Sequence, residues 1–196
     1  MKPMQFDYLR AGSVDEAVAE LAETGEDAKI LAGGQSLMAM LNFRLAEPEV
    51  LVDIANIEAL SYIHKDGDMV EIGAATTQGD LQAWDGLPEN LILLHKAFPN
   101  IGHFQTRNRG TVCGSIAHAD PSTELPLCLA TLGGEVVLRS KKGERKLSAA
   151  DFQRGMLTTA RRPDELLTAV RYPVSKPGAG YGFREVARRR GDFAIV

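Results

Sequence analysis

The sequence predicts a chain of mixed α and β structure, with a small β/α lobe ahead of a larger region of hairpins and helices. Three observations predict it. First, 196 residues at 44% hydrophobic content suffice for one sizeable core, or for two small lobes packed together. Second, apolar residues recur at helical spacing in some windows and as short strand-like runs in others. Third, two stretches of small residues, Ala32-Gly33-Gly34-Gln35-Ser36 and Gly110 to Pro121, interrupt those patterns.

The elements follow in order. Ser13-Val14-Asp15-Glu16 has the Ser-x-x-Glu form of a capping box and opens an amphipathic helix. Its apolar face is Val14, Ala17, Val18 and Leu21, and Gly25 ends it. Lys29-Ile30-Leu31-Ala32 reads as a buried strand and Gly33-Gly34 as its turn. Ser36 is placed to cap a helix from Leu37 to about Leu45, and Val50 to Ile54 reads as another strand. Residues 1–56 thus form the small lobe. From Ile57 onward, Tyr62-Ile63-His64 and Met69 to Gly73 predict a hairpin around Lys65-Asp66-Gly67-Asp68. Thr77 caps a helix to about Trp84, and Asn90 to Phe98 reads as a further helix. Residues 100–121 read as a long basic loop, after which Ser122 or Thr123 caps a helix to Leu132. Glu135 to Arg139 and Glu144 to Leu147 predict a second hairpin; Glu165 to Tyr172 is a strand stopped by Pro173, and Gly180 to Arg188 another. Residues 57–176 form the larger region and 177–196 the start of something further. The apolar run Phe193 to Val196 looks like an element beginning, so a piece of a longer protein is expected.

Composition excludes several classes. No apolar run approaches the ~20 residues of a membrane-spanning helix, and the N-terminus lacks a secretory apolar segment, so a cytoplasmic location is expected. Two cysteines with no C-x-x-C spacing make no disulfide framework, zinc ribbon or iron–sulfur site within the chain. The net charge of −4 is uneven: 6 Lys/Arg against 17 Asp/Glu over residues 1–100, then 16 against 9 over residues 101–196. The basic half suits a phosphate ligand, an acidic partner surface or a solvated face. It lacks the interleaved aromatics and signatures of nucleic-acid binding.

The two small-residue stretches carry the chemistry. Glycines let backbone N–H groups approach and point at a ligand, and a following helix adds a favourable field for an anion. Gly33-Gly34 fits neither G-x-G-x-x-G nor a P-loop, and by itself also fits a plain strand-to-helix turn. The second stretch adds Thr111 and Ser115 as short donors, with Arg107 and Arg109 on its approach. Asp120 and Glu124 are placed to accept from ribose or ribityl hydroxyls, while Asp120-Pro121-Ser122 also fits a helix start. His118 reads as a hydrogen-bonded structural histidine, Cys128 as core, and Arg188 to Arg190 as a solvated or partner-facing strip. Cys113 lacks the orienting histidine and acid of a nucleophile. Two phosphate-suited loops without a catalytic constellation point to a dinucleotide cofactor that carries the reaction.

At these residues a family becomes recognisable. Leu31-Ala32-Gly33-Gly34-Gln35-Ser36-Leu37, with Arg107 to Pro121, closely resembles the FAD-binding medium subunit of molybdenum hydroxylases, the carbon monoxide and xanthine dehydrogenase type. Phe6-Asp7-Tyr8, Gly73 to Thr77 and Arg190-Gly191-Asp192-Phe193-Ala194 match as well, so the resemblance covers essentially the whole chain. It implies an α+β, two-lobed FAD-binding fold of the p-cresol methylhydroxylase or vanillyl-alcohol oxidase type, with the family's smaller C-terminal domain missing or truncated. It also implies the cofactor contacts. Lys29, Ile30, Leu31, Ala32, Gly33, Gly34, Gln35 and Ser36 line one side, and Thr111, Gly114, Ser115 and Ala117 the other. Ile101, Asp120, Glu124, Leu166, Leu167 and Arg184 complete the set around the hydroxyls, the adenine and the flavin.

The resemblance further implies a division of labour. A large molybdopterin subunit hydroxylates substrate, and a small iron–sulfur subunit passes electrons to FAD on this chain. FAD then reduces an external acceptor such as NAD, oxygen or a quinone, in a dimerised heterotrimer. Two positions depart from the family: Cys113 where glycine is common, and Ser115 where asparagine is frequent. The Cys113 side chain either crowds the cofactor loop or points away from it. Competing expectations are a self-sufficient flavin reductase of the same fold and a cofactor-free assembly subunit.

Overall fold

The computed structural model describes residues 2–189 and 191–196. Three parallel strands make the first sheet: β1 (Asp7–Arg10), β2 (Ala28–Leu31) and β3 (Val50–Asp53), in the order β1-β3-β2. Helix α1 (Val14–Thr24) joins the first two strands and α2 (Leu37–Asn42) the last two. Ser13 caps α1 by accepting the Glu16 N–H, and Glu16 reaches back to the N–H of Gly12. Ala17, Val18 and Leu21 are fully buried, which is the face the helical spacing predicts.

The second sheet has five antiparallel strands in the order β4-β5-β10-β6-β7. They are β4 (Ile63–Asp66), β5 (Met69–Gly73), β6 (Glu135–Ser140), β7 (Gly143–Ser148) and β10 (Leu166–Pro173). β10 is the central strand, and Leu166, Leu167, Ala169, Val170 and Tyr172 are buried along it. Between β5 and β6 run α3 (Gln78–Ala83), α4 (Leu87–Asn90), α5 (Ile92–Ala97), α6 (Phe104–Arg107), α7 (Val112–His118) and α8 (Glu124–Leu132). Between β7 and β10 lie α9 (Ala149–Phe152) and a ribbon of β8 (Gln153–Gly155) with β9 (Thr158–Thr159). One apolar core runs continuously from Leu21 and Val52 under the first sheet to Ile72, Leu138 and Phe152 under the second.

Several expected elements differ. The stretch 100–121 is mostly helical: α6 and α7 lie there, and α7 forms because Thr111 accepts the Gly114 N–H and because Val112, Cys113 and Ile116 are buried. The helix expected over Asn90 to Phe98 starts earlier and breaks at Leu91. There Ser175 takes over, its Oγ accepting the Ile92 N–H and its N–H donating to the Asn90 carbonyl. Ser36 makes no side-chain cap because its own backbone is already helical, and α2 ends at Asn42. Thr123 occupies the N-cap position of α8 but its hydroxyl donates to the Asp120 carbonyl instead. Gly180 to Arg188 forms no strand; Val186 alone bonds across to Ile195 and Val196. Arg190 lies outside the described residues.

Candidate functional site

A cleft of about 920 Å³ opens between the two sheets, near the top of the range of roughly 300–1,000 Å³ for cofactor sites. Its floor is where the two small-residue stretches touch. A Cβ built on Gly33 would stand 2.2 Å from the Arg109 carbonyl oxygen and 2.6 Å from the Gly110 Cα. Only glycine permits that approach. Gly34 turns the chain at φ +70°, a conformation that disfavours any other residue.

Around this junction the backbone carries unused donors. Among the described residues, the N–H groups of Gly33, Gly34, Gln35 and Ser36 have no acceptor, nor do those of Thr111 and Cys113. Gly33, Gly34, Thr111 and Cys113 are buried or half-buried, and such N–H groups are normally paired, so four without partners around one cleft, with the exposed Gln35 and Ser36 beside them, mark the place of an acceptor-rich ligand. Gln78 adds to this. It is 7% exposed, lines the cleft, and its Oε1 is buried without a partner.

Of the residues that the sequence singles out, Lys29, Ile30, Ala32, Gly33, Gly34, Gln35 and Ser36 line the small-lobe side. Ile101, Thr111, Gly114, Ser115, Ala117, Glu124, Leu166 and Leu167 line the other. Leu31 lies off the lining. Asp120 does too, and its Oδ1 accepts the Ser122 N–H. Arg184 lines a separate hollow of about 270 Å³ together with Phe183 and Glu185.

The two approach arginines stay out of the cleft. Arg107 donates to Gln82 and to the carbonyls of Ile101 and Gly102, so it staples α6. Arg109 is exposed, and its backbone rather than its side chain meets Gly33. His118 lines the cleft half-buried, and no hydrogen bond of its ring is found among the described residues, unlike the bonded histidine expected. Cys113 is turned into the core, where its Sγ donates to the Ile72 carbonyl, and burial pushes its thiol well above the usual range. Cys113 is among the residues that line the cleft, but that bond holds its thiol toward the core and it supplies no thiolate. Burial also raises the Glu124 carboxyl to about 7, with Glu185 and Asp120 adding to the effect.

Sequence reasoning passed over three parts of the lining. Gly191, Asp192, Phe193 and Ile195 line the cleft, and the match of Gly191, Asp192 and Phe193 to the family motif is the available signal. Gln78 hides as an ordinary polar residue behind a capping threonine. Leu157, Thr159 and Arg161 come from a turn without motif character. No group of three or more metal-suited side chains gathers among the described residues.

A cleft floored by unpaired N–H groups from two lobes, with no metal set and no nucleophile, fits a large anionic cofactor, and comparison with known families decides which. Residues 4–175 match the model described as the FAD binding domain in molybdopterin dehydrogenase. The chain belongs to this family of FAD-binding domains. It is 43% identical over 195 residues to the 6-hydroxypseudooxynicotine dehydrogenase complex subunit alpha of Paenarthrobacter nicotinovorans, covering 100% of this chain and 66% of the relative. It is 41% identical over 196 residues to the carbon monoxide dehydrogenase medium chain of Afipia carboxidovorans, covering 100% and 68%. The fold matches the carbon monoxide dehydrogenase structure from Hydrogenophaga pseudoflava with a TM-score of 0.95 at 39% identity, over 99% of this chain and 68% of that one. The chain thus spans about two thirds of the length of the relatives it matches, and a C-terminal part of those relatives has no counterpart in it. No helix among the described residues is long and apolar enough to cross a membrane.

Proposed function

We propose that this chain is the FAD-holding, electron-relaying part of a molybdenum hydroxylase complex of the carbon monoxide dehydrogenase type. One observation carries the reading: unpaired N–H groups of both lobes converge on one cleft, at a contact between Gly33 and Gly110 that only glycine allows. A dinucleotide pyrophosphate offers the oxygens those donors need. Gly33 to Ser36 would hold it from the small lobe, Thr111 and Cys113 through their N–H groups from the larger one. Lys29, Ile30 and Ile101 would flank one heterocycle, with Leu166 and Leu167 toward the other; Glu124 would accept from a sugar hydroxyl. FAD, once bound, supplies the two-electron and one-electron chemistry that lets iron–sulfur clusters of a small subunit feed an external acceptor. The protein's share is to bind, orient and shield it. A molybdopterin large subunit would choose the substrate.

The test is a spectrum. The protein purified with its partners should show flavin absorption, and the flavin released on denaturation should be FAD in a ratio near one per chain. A complex that assembles normally without flavin would leave the cofactor-free assembly subunit as the better reading. Flavin reduced by the protein's own substrate without partners would favour the self-sufficient reductase.

A further inference from the structure

In the lining of the cleft, Arg161 carries a guanidinium that Glu165 and Asp164 influence from nearby but that no carboxylate grips. Its neighbour Glu165 is taken by Arg145, at 2.6 and 2.8 Å, and by the Arg162 N–H. Arg161 forms no ion pair among the described residues. One nitrogen, Nη1, is fixed by the carbonyls of Arg162, Pro163 and Glu165 at 3.1, 3.3 and 2.7 Å. Nε and Nη2 make no hydrogen bond among the described residues, and they are not among the buried unpaired atoms; the side chain lines the cleft. The head group is therefore clamped on one edge and open on the other. Burial lowers the pKa of the group, and the nearby Glu165 and Asp164 only partly offset this.

The hairpin turn that precedes Arg161 is itself held in place. Leu157 and Ala119 both adopt φ +52°, unusual for residues with a side chain, and the Leu157 N–H donates to the Ala119 carbonyl at 3.0 Å. That bond docks the turn on the C-terminal end of α7, whereas the glycine floor sits at the N-terminal end. Seven helical residues separate the two by about 10 Å. The hairpin that leads into Arg161 therefore meets the cleft at the end of α7 away from the pyrophosphate cradle.

We infer that Arg161 grips the AMP half of the bound dinucleotide; the inference rests on the FAD reading above. Two parts of the lining differ in the required sense. A few residues after Arg161, the lining residues Leu166 and Leu167 are almost fully buried, which suits a heterocycle that never reacts. Elsewhere in the lining Gly191 lies against Gly102 and His103, and there His103 is exposed and Phe193 is 70% exposed, which suits a flavin that must exchange electrons. A guanidinium fork matches paired acceptors, and the AMP half offers purine nitrogens and phosphate oxygens.

The experiment measures FAD affinity of the apo-protein, with ADP, adenosine and FMN as competitors, for wild type, Arg161→Ala and Arg161→Lys. Arg161→Ala should weaken FAD and ADP at least tenfold and leave FMN within twofold. Arg161→Lys, which keeps the charge but loses the fork, should fall between and is the decisive variant if the alanine protein does not fold. Weakening of adenosine as well as ADP places the fork on the purine; weakening of ADP alone places it on the phosphate, and both support the inference. An unchanged ADP competition in both variants, or an equal loss on FMN, overturns it. Wild type that binds no FAD in any form would instead overturn the functional reading itself.

Discussion

Gly33 to Ser36 in the small lobe leave four consecutive N–H groups unbonded, whereas the matching segment of the larger lobe uses most of its own. There the Val112 N–H goes to the Thr76 carbonyl, that of Gly114 to the Thr111 hydroxyl and that of Ser115 to the Thr111 carbonyl. One wall of the cleft is a loop shaped to expose donors. The other is a capped helix that offers two donors and a firm surface. The helix wall does not use the arginines that precede it, since Arg107 is spent on carbonyls and Arg109 faces solvent. The attraction for an anion therefore comes from oriented backbone dipoles rather than from side-chain charge. If so, damage to the loop wall should cost binding, and damage to the helix wall should mainly cost stability.

The largest expected effect is at their contact. Gly33→Ala puts a methyl against backbone atoms of Arg109 and Gly110, which cannot rotate away. We expect a loss of about 3 kcal/mol or more in unfolding free energy, and FAD affinity down by at least two orders of magnitude. Calorimetric titration and urea unfolding read both. A Gly33→Ala protein that keeps wild-type affinity would mean that the two walls need not touch to form the site.

The next test concerns a strongly perturbed carboxyl in the helix wall. Glu124 is raised from the ordinary 4.5 to about 7, chiefly by burial. The folded state thus favours its protonated form. Its contribution is fully favourable at acid pH and is lost as pH rises toward 7, levelling off above that. Glu124→Gln should remove this slope in the apo-protein. The variant should match wild type near pH 4 and exceed it by up to about 3 kcal/mol near pH 8. Parallel stability curves across that range would show that Glu124 is solvated, and that the helix wall is wetter than its burial indicates.

Cys113→Gly comes third. It removes a buried thiol and puts glycine inside a helix, for a combined loss of about 2 kcal/mol. FAD affinity should stay within twofold, because the thiol is held toward Ile72 and the core. A tighter complex would put the thiol back beside the cofactor.

The contrast between the walls also explains what could be read from sequence. The loop wall announces itself, because Gly33 and Gly34 fall between an apolar strand and an apolar helix. The helix wall does not. Val112 to His118 contains glycine, serine and cysteine, residues of modest helix propensity, and it folds because Thr111 caps it and three side chains are buried. Gly180 to Arg188 fails the other way: it has strand-like residues but no neighbouring strand to pair with. β1 went unnoticed because Asp7 to Arg10 is largely exposed and shows no alternation, and its parallel pairing with β3 supplies what local pattern lacks. Arg161 was invisible for a further reason. A charged residue in a turn looks solvated until its neighbours are shown to have other partners.

The smallest effect should come from Thr111, and it separates the two walls most finely. Its hydroxyl accepts the Gly114 N–H at 2.9 Å, so it fixes the start of α7 rather than facing a ligand. Thr111→Ala should cost about 1 kcal/mol, the usual worth of an N-cap, measured by thermal or urea unfolding. FAD affinity should fall only a few-fold, because the backbone N–H of residue 111 survives the change while its position loosens. A loss as large as that of Gly33→Ala would show the hydroxyl itself on the cofactor. The helix wall would then bind by side chain, and the division between a binding wall and a supporting wall would not hold.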